Sequence, residues 1–228
     1  MVGLQILALP IGVRIPVSEP IIFMKFYLSS FKVGNKGKKL ASFVKNKKIG
    51  YISNAMDFTE ANPKRRNIHI ANDLKELEEL SLEPEVLDLK DYFGESKELF
   101  KKLDELKAVY ISGGNTFVLR QAMRLSGFDN YIIKNLNNDF VYAGFSAAIC
   151  ILYKDMKVLQ IVDKPNDFPY DEISETIWDG LGVLDYMILP HYKSDHPESE
   201  DIDKEVEYCK KNKVPYKTLS DGQVIILE

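Results

Sequence analysis

The chain has 228 residues, of which 45% are hydrophobic and 28% charged, values that fit neither a disordered tract nor a membrane-spanning bundle. Its 30 basic and 34 acidic residues leave a net charge of −4, which gives no general pull toward nucleic acid or an anionic membrane. Two cysteines, Cys150 and Cys209, cannot build a disulfide framework and point to a reduced, cytoplasmic setting; three histidines, His69, His191 and His196, restrict where a histidine base can stand.

Residues 1–23 are apolar but broken by Pro10, Pro16 and Pro20, and no Lys or Arg precedes Arg14. The stretch is too interrupted for a membrane span and lacks the basic start of a secretory signal, so it reads as an extension outside a domain of residues 24–228. From Met24 the pattern alternates. Strands are expected at residues 25–30 (KFYLSS), 49–55, 85–89, 108–112 (AVYIS), 140–145 (FVYAGF), 157–162, 186–189 and 223–227. Helical spacing of apolar residues is expected at 63–80, 97–106, 115–125, 129–137 and 199–212, with a basic, exposed helix between Gly34 and Lys48. This alternation implies a single three-layer α/β/α domain with a mostly parallel sheet, whose sites lie in the loops after the strands.

Three such loops stand out. Gly113-Gly114-Asn115-Thr116 is either a turn that opens backbone N–H groups to a ligand or a tight turn with a good helix cap. Gly144-Phe145-Ser146-Ala147-Ala148 has the strand, small neighbours and serine of a nucleophile elbow, although a serine capping a buried helix reads similarly. Pro190-His191-Tyr192 follows an apolar strand, where a histidine either faces the site or sits on the surface. His69 lies in a helical stretch, and His196 lies in a polar loop that reads as solvated, with the rim of the site as the alternative. Cys150 reads as a small buried residue, and the scattered histidines and cysteines make no zinc site.

SGGNTFVLRQAM, AGFSAA and LPHY, in this order and each after a strand, resemble the peptidase E family of serine peptidases, which includes the aspartyl dipeptidases and cyanophycinase. The resemblance implies a fold like the class I glutamine amidotransferase domain. It also implies Ser146 as nucleophile, His191 as general base, and an oxyanion hole from the amides of Ala147 and of Gly113 or Gly114. The family places its acid between nucleophile and histidine. Asp163, at the end of the expected strand 157–162, is preferred over Asp155, with Asp167, Asp171 and Glu172 as substitutes. Asn115, Thr116, Tyr192 and Lys193 flank these loops as expected substrate contacts.

Two departures stand against the family pattern: Ala148 replaces a glycine, and the acidic stretch after His191 holds no arginine. A preference for Asp would need a cation from elsewhere, from Arg120 or Arg124, or from Arg65 or Arg66. The expected function is therefore hydrolysis of short peptides through an acyl-enzyme, without a strong Asp preference, by a monomer or homodimer using no cofactor, metal, nucleic acid or membrane. The alternatives are a non-catalytic or divergent relative that binds a small ligand or a partner, or an amidase or esterase of non-peptide substrates.

Overall fold

Strand β1 (Lys25–Ser29) sends Phe26 and Leu28 to one side and Tyr27 to the other, and all three are fully buried. β2 (Lys48–Ile52) is covered in the same two-sided way, whereas β3 (Glu83–Val86) is half exposed and carries Pro84, as suits an edge strand. β4 (Ala108–Ile111) and β5 (Val141–Phe145) are buried throughout. Burial on both faces is what a parallel sheet between two helical layers requires. The computed structural model, which describes residues 24–228, has this arrangement. The expectation for residues 1–23 lies outside the described residues.

The apolar side chains divide into two cores. Tyr27, Tyr51, Tyr110 and Phe145 pack under α1 (Gly37–Phe43) and α2 (Pro63–Glu79). Phe26, Ile52, Val109, Ile111 and Tyr142 pack under α3 (Ser96–Leu106), α4 (Thr116–Ser126), α5 (Phe128–Lys134) and the short α6 (Ala147–Cys150). Two short strands, β6 (Met187–Leu189) and β7 (Tyr216–Thr218), form a separate parallel pair joined by α7 (Ser199–Asn212). β8 (Val224–Leu227) closes the main sheet, whose order is β3-β2-β4-β5-β1-β8. It alone runs antiparallel, against β1. Its leading end therefore meets the carboxyl end of β1, with Val224 opposite Ser29.

One expected strand is absent. Residues Lys157–Ile161 form a 3-10 turn, because the Asp155 carboxylate accepts the Lys157 amide at 2.9 Å and the Leu159 amide turns back to the Met156 carbonyl at 3.0 Å. An apolar run of this length does not by itself distinguish strand from helix. No helix among the described residues is long and apolar enough to cross a membrane.

Candidate active site

The carboxyl ends of β1, β4, β5 and β6 open into one region. At the end of β5 the chain reverses through Ser146, whose φ of 51° and ψ of −113° lie outside the regions that ordinary residues occupy. Such a forced conformation holds a hydroxyl clear of its own backbone, which is the purpose of a nucleophile elbow. The turn is cramped: a Cβ on Gly144 would stand 2.6 Å from both the Ala148 Cβ and the Ile111 carbonyl. Ala148 itself is fully buried in α6 and is not among the positive-φ residues. The backbone there makes no demand that only glycine could meet, so Ala148 costs the elbow nothing.

The glycine turn after β4 backs directly onto this serine; a Cβ on Gly113 would stand 3.0 Å from that of Ser146. Among the described residues, the amides of Gly113, Gly114 and Ala147 find no hydrogen-bond acceptor. Three donors beside a strained hydroxyl are the elements of an oxyanion hole.

His191 follows β6, also at positive φ (57°), and is 1% exposed. Its Nδ1 lies 2.8 Å from Asp221 Oδ1. A carboxylate only accepts, so Nδ1 carries the proton and Nε2 keeps a lone pair. Ser30, at the end of β1, clamps the pair: its Oγ accepts the His191 amide at 2.8 Å and donates to Asp221 Oδ1 at 2.9 Å. The Asp221 amide in turn donates to Ser194 Oγ at 2.8 Å. Burial, reinforced by the nearby His196, holds the His191 imidazole below its ordinary pKa, while Asp221 opposes this. His191 is therefore neutral near pH 7 and able to take a proton.

Several expectations need correction. Asp163 is not bonded to His191: its Oδ2 accepts the Thr116 amide at 2.8 Å, and its carboxyl, pushed up to about 7 mainly by burial, lines a void of about 20 Å³ behind Ser146. It follows a 3-10 turn and not a strand, so it does not reach the imidazole edge. Asp155 caps the Lys157 amide instead. Among the expected substrate contacts, Asn115 caps α4 through the amides of Phe117 and Val118, and Thr116 binds Asp163. Tyr192 and Lys193 lean on each other, the ammonium 5.2 Å from the ring, and neither lines the cleft described next. Cys150 is buried as expected, its thiol donating to the Ile188 carbonyl at 3.4 Å and pushed up well above its ordinary pKa by burial.

Ser146, His191 and the glycine turn share a cleft of about 410 Å³. Its opposite wall is the start of α2, where Asn62 caps the helix by accepting the Arg65 amide. That wall brings Arg65, Arg66 and His69 into the cleft, and Lys32 joins them from the loop after β1. The site thus has arginines after all, drawn from α2 and not from the segment after His191. Arg66 is braced by Asp57 at 2.7 Å and Ser53 at 3.2 Å, yet its Nε is buried with no partner among the described residues. Arg120 and Arg124 do not contribute: both turn to Asp129, at 2.9 and 3.7 Å. His196, read as solvated, instead stacks on His191 with ring centroids 3.7 Å apart and planes within 10°. With Glu198, the two rings bring one potential ligand atom each to within 4.8 Å of the others, a grouping that the sequence spacing did not suggest.

Comparison with known proteins gives the family and the fold. The model of peptidase family S51 matches residues 33–228. An uncharacterized peptidase of Listeria monocytogenes is 29% identical over 192 residues, 83% of this chain and 87% of the relative. Peptidase E of Streptomyces coelicolor is 27% identical over 132 residues, 56% of this chain and 51% of its own. A solved structure from Listeria monocytogenes EGD-e assigned to peptidase E superposes with a TM-score of 0.70 at 24% identity, covering 90% of this chain and 98% of that one. A peptidase from an acI-B1 Actinobacterium superposes at 0.64, with 13% identity over 91% and 84%. These two structures share the fold.

Proposed function

The chain belongs to peptidase family S51 and is a serine-type peptidase, and we propose that it hydrolyses short peptides through an acyl-enzyme on Ser146, with His191 as general base and Asp221 as the partner that orients it. The observation that carries this reading is the His191–Asp221 bond, which leaves Nε2 unprotonated in the cleft that Ser146 shares. In the first half-reaction Ser146 Oγ attacks the scissile carbonyl carbon as its proton passes to His191 Nε2. The oxygen that gains negative charge is held by the amides of Ala147 and of the Gly113-Gly114 turn. The imidazolium, stabilised by Asp221, returns the proton to the leaving amine as the C–N bond breaks. Water then attacks the ester carbonyl as His191 takes its proton, and the imidazolium passes that proton to Ser146 Oγ as the acyl C–O bond breaks and the acid product leaves.

The basic wall bears on the substrate. Lys32, Arg65 and Arg66 line the cleft that Ser146 shares, together with Glu60, Asp73 and Glu198, and Arg66 is already held by Asp57 and Ser53. A substrate carboxylate in the cleft would instead meet the exposed Arg65 guanidinium and gain a charge-assisted bond. We therefore favour peptides that place an acidic group against α2, and the expectation of indifference to Asp is set aside.

The experiment is steady-state hydrolysis of Asp-X, Asn-X and Leu-X dipeptides by the wild type, Ser146→Ala and Arg65→Ala. Ser146→Ala should lose several orders of magnitude in kcat. Asp-X should lead Asn-X by about tenfold or more, a lead worth about 1.4 kcal/mol that shrinks in Arg65→Ala. Undiminished turnover in Ser146→Ala would end the reading.

A further inference from the structure

We propose that His191, His196 and Glu198 form a binding site for a divalent transition-metal ion, zinc by its chemistry, and that an ion held there switches the hydrolase off. One donor atom from each residue lies within 4.8 Å of the other two. The donor set, two imidazoles and a carboxylate, suits zinc and selects against magnesium and calcium, which want oxygen. Three protein ligands leave the fourth position of a tetrahedral ion open to water.

Each ligand is already positioned by something else. His191 Nδ1 is held by Asp221, so Nε2 is the nitrogen available to a metal. A histidine whose other ring nitrogen is held by a carboxylate is the usual form of a histidine ligand, because the carboxylate fixes the ring and raises its basicity. His196 is kept over His191 by the parallel stack, and Phe31 stands edge-on to both rings, at 5.9 and 5.6 Å. Glu198 is tied to His196 through its own amide, which donates to His196 Nδ1 at 3.3 Å.

The fit requires one adjustment. Tetrahedral zinc with bonds of about 2.0–2.1 Å places its ligand atoms about 3.3 Å apart. Parallel rings aim their lone pairs side by side, so one must tilt toward the other. His191 is buried and doubly anchored, whereas His196 is only partly buried and lies outside any helix or strand. His196 is the ring that moves, giving up its stack and its long contact from the Glu198 amide.

The consequence for activity follows from the lone pair. An ion bound to His191 Nε2 occupies the position that must receive the Ser146 proton, and its charge opposes protonation of the ring. This inhibitory half rests on the serine-peptidase reading, but the binding half does not, and the test separates them.

The test titrates the full chain with ZnCl2 by calorimetry near pH 7.5, comparing wild type with His196→Ala, Glu198→Gln and, as a control, His69→Ala. Thermal melts establish that each variant is folded; should His196→Ala fail to fold, the more conservative Glu198→Gln carries the comparison. The expected result is one saturable site per chain, weakened about tenfold or more in His196→Ala and Glu198→Gln and unchanged in His69→Ala. MgCl2 should give no heat, and CoCl2 should give the visible absorption of a tetrahedral ion. Zinc should inhibit peptide hydrolysis with the same midpoint as binding, reversibly with EDTA. Absence of saturable zinc binding to the wild type, or equal affinity in both ligand variants, overturns the site. Binding without inhibition overturns the switch. Binding to a protein with no basal hydrolysis upholds the site and counts against the peptidase reading instead.

Discussion

His191 Nδ1 and Asp221 Oδ1 lie 2.8 Å apart although 30 residues separate them in the chain, and Ser30 Oγ accepts the His191 backbone amide and donates to the same Asp221 oxygen. If this contact fixes the imidazole tautomer, Asp221→Asn places an amide where an acceptor is needed. Its kcat should fall by about 10³–10⁴-fold with little change in KM. Asp163→Asn should stay within about tenfold of wild type. Stopped assays on the two purified variants decide between the carboxylates; the reverse ranking would restore Asp163 to the triad.

Asp163 has a different signature, in stability. Its carboxyl rises from an ordinary 3.8 to about 7 in the folded protein. The folded state then holds a proton that the unfolded state has released, so folding loses free energy as pH climbs from about 4 to about 7 and no more beyond that. The loss is at most about 4 kcal/mol at 1.36 kcal/mol per pH unit. Asp163→Asn lacks this penalty and keeps an acceptor for the Thr116 amide. Its melting temperature should gain on wild type between pH 4 and pH 8; a constant difference across that range would mean that the carboxyl is ionised in the fold.

The pH dependence of kcat/KM follows from the state of His191. The base must be neutral, and burial with the nearby His196 holds its pKa below the ordinary 6.5. Activity should fall on acidification with a midpoint below 6.5. His196→Ala removes a lowering influence and should move that limb upward, whereas Asp221→Asn removes a raising one and should move any residual limb downward. A wild-type midpoint above 7 would contradict the assigned environment.

Ala148 tests the elbow. Replacing it with glycine removes a buried methyl and loosens α6, at a cost of about 1–2 kcal/mol, and should not raise kcat. Gly144→Ala must fit a methyl 2.6 Å from the Ala148 Cβ and the Ile111 carbonyl. It should be markedly less stable by thermal melting, because one neighbour is rigid backbone. A stable, active Gly144→Ala protein would mean the turn is looser than described.

Much of this architecture is legible in the amino-acid order. AVYI and VYAGF are apolar on both alternating faces and rich in β-branched and aromatic residues, as a covered parallel strand requires, so Gly113 and Ser146 could be placed at strand ends. Asp221 could not be found the same way. It precedes β8, and only because that strand runs antiparallel does its leading end arrive at the carboxyl edge where His191 stands. In sequence, Ser220-Asp221-Gly222 reads as an ordinary turn. Arg65 and Arg66 were legible only as one of two candidate pairs: in sequence they look like solvated helix positions, and it is the packing of α2 over the sheet that brings them, and not Arg120 and Arg124, into the cleft with Ser146. The stack of His191 and His196 depends on a loop path that no periodicity encodes.

The central claim is that Ser146 is an activated nucleophile, and active-site labelling with a fluorophosphonate tests it most directly. The wild-type protein, incubated with the probe at pH 7.5 and digested, should carry one phosphonyl group on the peptide containing Ser146. Labelling should be slower by orders of magnitude in His191→Ala and absent in Ser146→Ala. A folded wild-type protein that remains unlabelled, or one labelled equally well after His191→Ala, would contradict the account.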